Sequence, residues 1–81
     1  MLDTGYDNES TFFQSPDRYH RVCGWRDYTE RNCAAPEDVD GHGTYVLSLL
    51  MKVAPMADFY VARVARDTED LAGSITNVAK V

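Results

Sequence analysis

Positive charge is in short supply in this sequence. Eight Lys and Arg stand against thirteen Asp and Glu, a net charge of −5 over 81 residues. That balance offers no footprint for phosphate backbones or anionic bilayer surfaces, so no nucleic-acid partner is expected. Long apolar runs are lacking as well. No stretch approaches the roughly 20 apolar residues that cross a bilayer, and Met1-Leu2-Asp3 is not the basic-then-apolar opening of a secretory signal. No membrane partner is expected either. Cysteine is limited to Cys23 and Cys33, whose nine intervening residues leave slack for a disulfide in an oxidising compartment and suit two free thiols equally well. The cysteines therefore do not fix localisation.

What is present has a globular composition. Hydrophobic residues make up 44% and charged residues 26%, which fits a packed protein and not a disordered tail. The length allows at most one small domain with a thin core, burying little more than ~60% of the surface of the unfolded chain. Residues 6–41 are dense in Asp, Asn, Glu, Ser, Arg and Pro with scattered aromatics, and read mostly as a long surface connection. Within them Tyr19 to Trp25 predicts one short strand, paired at a sheet edge.

Further on the pattern becomes regular. Val46, Leu49, Leu50 and Val53 recur at i, i+3, i+4 and i+7 and predict the apolar face of a helix, which Pro55 ends. Phe59 to Val64 is a nearly continuous apolar run, predicting a strand covered on both faces, with Arg63 the exception. Ser74 is placed to cap a last helix carrying Ile75, Val78 and Ala79. Strand end, long loop, helix, strand, helix is the βαβα order of a parallel α/β sheet. Only Met1 and Leu2 precede Asp3 and the last helix stops at Val81, so this α/β segment is expected to be incomplete at both ends, a fragment of a larger domain.

Two residues suggest chemistry. Asp3 ends the first strand, His42 opens the first long helix, and one parallel crossover can bring the two together as a general base and its orienting partner. An imidazole in the first turn of a helix meets the positive end of the dipole, which disfavours its protonated form, while a nearby carboxylate opposes that shift. Accepting a hydrogen bond from one ring nitrogen, Asp3 would fix the tautomer and leave the other nitrogen to take a proton. Singly, the same residues read as an ordinary strand-ending turn and a helix capped by Asp40.

Three blocks carry a family resemblance: Leu2-Asp3-Thr4-Gly5-Tyr6-Asp7, then Asp40-Gly41-His42-Gly43-Thr44, then Val53 to Val64 with its Val-Ala-Pro opening. In this order they resemble successive blocks of the subtilisin-like serine proteases. The resemblance implies a parallel-sheet subtilisin-like fold and a serine endopeptidase that hydrolyses polypeptide substrates through a Ser/His/Asp triad, with Asp3 the orienting carboxylate, His42 the general base and no cofactor. The family's Gly-Thr-Ser nucleophile segment and oxyanion-hole asparagine have no counterpart here, since Ser10, Ser15, Ser48 and Ser74 stand in other settings. Residues 1–81 are thus expected to be an N-terminal fragment of such a catalytic domain, inactive alone and needing the remainder of that domain. Leu47 is bulkier than the alanine the family generally has, which argues against close helix packing there. Residues 8–13 depart from the family's calcium loop, so no metal site is expected.

Three other readings compete. Asp3-Thr4-Gly5 also fits the aspartic-protease signature of paired carboxylates, but that architecture is all-β and the helical spacing after His42 opposes it. His20, Cys23, Cys33 and His42 are four potential metal ligands at intervals that are not a standard zinc signature. Finally, the chain reads as a catalytically inactive remnant, or pseudoenzyme, acting as a protein-interaction module through Tyr6, Phe12, Phe13, Tyr19, Trp25 and Tyr28.

Overall fold

The structure, a computed structural model, describes the backbone of residues 1–79 and the side chains of residues 1–73. Three parallel strands form its sheet in the order β1-β3-β2, where β1 is Leu2–Asp3, β2 is Val22–Asp27 and β3 is Phe59–Arg63. The α/β class read from the sequence is therefore present. Short as it is, β1 is held firmly: the Ala62 amide donates to the Met1 carbonyl at 2.8 Å and the Val64 amide to the Asp3 carbonyl at 2.9 Å. Among the described residues three α-helices accompany the sheet, α1 at Pro16–His20, α2 at His42–Val53 and α3 at Thr68–Ala79.

The stretch 6–41 is less of a plain connection than its composition predicts. It contains a 3-10 turn at Thr11–Gln14, then α1, then β2. The strand expected over Tyr19 to Trp25 is displaced because Pro16, with its backbone angle preset for the first helical turn, starts a helix that runs through Tyr19 and His20. Most of its aromatics pack inward. Tyr6 and Phe13 are buried, with ring centroids 5.4 Å apart in edge-to-face contact, and Phe12 and Trp25 pack against them. Of the six, only Tyr19 and Tyr28 are exposed.

The buried face of α2 also differs from the predicted one. Gly43, Leu47 and Met51 are buried, whereas Leu49, Leu50 and Val53 are 40%, 37% and 82% exposed. At 3.6 residues per turn the two stripes lie about a third of a turn apart. The cause is the first turn of the helix. A Cβ on Gly43 would stand 2.0 Å from the Gly5 carbonyl oxygen, so the helix sits there backbone against backbone, and residues 47 and 51 must then face the sheet. Leu47, expected to hinder close packing, is fully buried in the core beside Tyr6, Phe13, Met51 and Val61. At the other end Arg21 reaches over from the start of β2, donating to the carbonyls of Met51 in the last turn of α2, of Ala54 that caps it and of Ala57 just beyond.

The apolar run of β3 predicts cover on both faces. Val61 and Arg63 are buried on the α2 side, but Tyr60 is 69% exposed on the other. α3 begins at Thr68, not at Ser74: Asp67 accepts from the Asp70 amide at 2.8 Å and thereby caps it, which puts Ser74 inside the helix. The expected packing of Ile75, Val78 and Ala79 and the helix stop at Val81 lie outside the described residues.

Candidate functional site

The carboxyl ends of the three strands carry a row of charge. Asp3 of β1, Arg63 of β3 and Asp27 of β2 stand in register, so their side chains share the face of the sheet that α2 covers. All three are at most 5% exposed. Buried charges persist only when paired and hydrogen-bonded, and each of these has its own solution.

Asp3 pairs with His42. The ring nitrogen Nδ1 lies 2.8 Å from Asp3 Oδ1, across 39 residues of sequence, and the same oxygen accepts the Thr4 amide at 2.7 Å. The crossover thus brings together the two residues that the sequence singled out. With a carboxylate oxygen as partner, Nδ1 is the protonated nitrogen and Nε2 the free base. The ring is 39% exposed and makes no other hydrogen bond among the described residues. Its pKa is raised above the ordinary value, first by the hydrogen bond to Asp3, and further by the Coulombic fields of Asp3, Asp40 and Asp38; partial burial opposes the rise.

The first turn of α2 has every free amide satisfied. Gly41 donates to Asp38 Oδ1 at 2.9 Å, His42 to Asp40 Oδ2 at 3.1 Å, Gly43 to Thr4 Oγ1 at 2.9 Å and Thr44 to Asp38 Oδ2 at 2.8 Å. Asp40 thus does cap, as the plain reading of the motif supposed, but it is one of three side chains that do. Gly41 itself turns with φ 96°, in the left-handed region that glycine enters without strain.

Arg63 has different partners from Asp3. Its Nη1 lies 3.4 Å from Asp27 Oδ2 and 3.1 Å from Glu37 Oε2. Asp27 also accepts from the Thr29 hydroxyl and amide and from the Cys33 amide. Burial works to raise its pKa, but those bonds and the guanidinium together hold the carboxyl down at about 2. Glu37 meanwhile accepts from Arg31 at 3.1 Å and from the Cys33 thiol. The result is a pinned loop, residues 28–37, across the strand ends.

Other candidates do not come together. Cys23 and Cys33 are free thiols, the first exposed beside the carbonyls of His20 and Arg21, the second against Glu37. Among the described residues, no three His, Cys, Asp or Glu side chains are grouped so as to hold a metal ion, and this separates His20, Cys23, Cys33 and His42. Asp3 faces an imidazole, not the second carboxylate of an aspartic dyad. Sequence reasoning missed Thr4, Asp38 and the Arg63–Asp27–Glu37 group, and only the isolated charge of Arg63 within an apolar strand signalled the last. Comparison of the chain with known protein families, with curated proteins and with solved structures finds no match.

Proposed function

We propose that this chain carries the acid–base part of a subtilisin-like serine endopeptidase, with His42 as general base and Asp3 as its orienting carboxylate. The observation that supports this reading is the 2.8 Å contact between Nδ1 and Oδ1, which fixes the ring in the tautomer whose Nε2 can accept a proton. Asp3 is buried while the imidazole is part-exposed, so the orienting group is shielded and the base remains accessible to a reacting partner. In the complete reaction Nε2 takes the proton of a serine hydroxyl as it attacks the peptide carbonyl, and Asp3 stabilises the imidazolium that forms. Neither the nucleophile nor the oxyanion donors are assigned to this chain. It should therefore hydrolyse no peptide bond by itself, and the remainder of the catalytic domain must supply those groups and the substrate cleft.

An activated aryl ester tests the base without needing a serine. The purified chain should accelerate its hydrolysis in a His42-dependent manner, with the rate rising as pH passes the raised pKa of the imidazole. His42→Ala should abolish the effect and Asp3→Asn should weaken it. Equal ester rates for the parent and His42→Ala would refute the base assignment. Peptide hydrolysis that disappears in His42→Ala would refute the absence of the nucleophile.

A further inference from the structure

Asp38 lies outside the Asp3–His42 pair, four residues before the histidine, yet it makes more hydrogen bonds than either. Oδ1 accepts from the Thr4 hydroxyl and the Gly41 amide, each at 2.9 Å, and Oδ2 accepts from the Thr44 amide at 2.8 Å and the Thr44 hydroxyl at 2.6 Å. A helix cap needs only one or two amides. The two hydroxyls are a different matter, because each leads to the β1 turn. Thr4 directly follows Asp3, and its oxygen also receives the Gly43 amide at 2.9 Å; Thr44 in turn receives the Asp7 amide at 2.9 Å. Thr4 to Gly43 and Asp3 to His42 are thus neighbouring rungs between the same two segments, both spanning 39 residues.

We infer that Asp38 is a positioning residue, a clasp that fastens the first turn of α2 to the β1 turn and thereby holds the His42 ring against Asp3. This rests on the reading of His42 and Asp3 as base and orienting carboxylate. Each of its two oxygens accepts twice, Oδ1 from Thr4 and Gly41 and Oδ2 from the amide and hydroxyl of Thr44, so no single neutral side chain of similar size reproduces the set: asparagine keeps one accepting oxygen and replaces the other with a donor. The bonds also hold the Asp38 carboxyl below its ordinary pKa even though burial works to raise it, so the accepting form persists across neutral pH.

The imidazole tautomer is a readout that a merely structural role would not move. In the full chain with His20→Gln, leaving one histidine, ring nitrogen-15 spectra taken above the His42 pKa should show Nδ1 protonated. Asp38→Asn should shift the ring to the Nε2-protonated form, and Thr44→Val, which keeps the Asp38 charge and the side-chain volume, should shift it in the same direction. Thr44→Val thus separates the clasp from a simple loss of negative field and answers the question should Asp38→Asn unfold. Folded variants, judged by their amide spectra, in which both substitutions leave Nδ1 fully protonated would overturn the clasp while leaving the Asp3–His42 reading in place. A parent whose Nδ1 is not protonated would instead remove that reading, and the clasp with it.

Discussion

Gly43→Ala adds a single methyl where α2 meets the β1 turn. The new Cβ would stand 2.0 Å from the Gly5 carbonyl oxygen and 3.0 Å from both its carbonyl carbon and its amide nitrogen. All three atoms are backbone, so no side-chain rotation relieves the contact, and the turn and the helix must separate by more than about 1 Å to reach ordinary van der Waals distance. Overpacking of this kind costs about 1–3 kcal/mol, and the Gly43 amide stretches away from Thr4 Oγ1 at the same time. The better helix propensity of alanine returns at most about 1 kcal/mol. A net loss of about 2 kcal/mol follows, which for a chain of this size lowers the melting temperature by roughly 10 °C. His42 is the preceding residue, and moving it by the same amount takes the Nδ1 to Oδ1 distance from 2.8 Å past the limit of a hydrogen bond. Urea unfolding followed by the fluorescence of Trp25, the only tryptophan, gives the stability, and a proton NMR titration gives the His42 pKa, which should fall towards its ordinary value. Gly73→Ala is the control: nothing lies within 4 Å of a Cβ there, so it should stabilise by about 0.5–1 kcal/mol and leave His42 untouched. A Gly43→Ala protein as stable as the parent, with the His42 pKa still raised, would refute the close helix seat.

Leu47→Ala should cost about 3 kcal/mol in the same urea experiment, whereas Leu49→Ala should cost less than about 1 kcal/mol, because the first is fully buried and the second 40% exposed; equal losses would restore the face predicted from periodicity. In acid, Asp27 contributes on the order of 2 kcal/mol that is present above the ordinary carboxyl range and fades as pH falls through about 2, so Asp27→Asn should flatten that limb of a stability–pH curve. His42 acts in the opposite direction: its raised pKa contributes stability below the ordinary imidazole value that is lost as pH rises through the raised one, and His42→Gln should remove that slope. Replacing both partners of Arg63, as Asp27→Asn with Glu37→Gln, should free the guanidinium to turn to Asp3 in the adjacent strand and lower the His42 pKa; an unchanged titration would show that Arg63 cannot reach it.

The parallel sheet, α2 and the spatial meeting of Asp3 with His42 were legible in the sequence, because each follows from a local signal: a strand-favouring run, a helix start ended by Pro55, and one crossover between the two. The rotation of α2 was not. Periodicity finds the most apolar stripe of a helix, and here that stripe holds Leu49, Leu50 and Val53, but a buried glycine contributes nothing to hydrophobicity while deciding how closely two backbones approach. Likewise Thr4 and Asp38 look like ordinary turn residues, since what marks them is a hydrogen bond across 34 residues that no window of local sequence contains.

Arg63 links the two halves of the polar row. A guanidinium 1% exposed beside a buried carboxylate in the next strand would ordinarily pair with it, and an Asp3 engaged by Arg63 would bind His42 less strongly. Instead Asp27, on the opposite flank of β3, and Glu37, from the loop above, draw the guanidinium away from β1. The residues that look remote from the His42 pair therefore leave the Asp3 carboxylate to a single strong partner, and the pinned loop 28–37 belongs to the site's electrostatics as much as to its fold. That same loop leads directly into Asp38, so the segment that diverts Arg63 from Asp3 also delivers the carboxylate that ties Thr4 to Thr44.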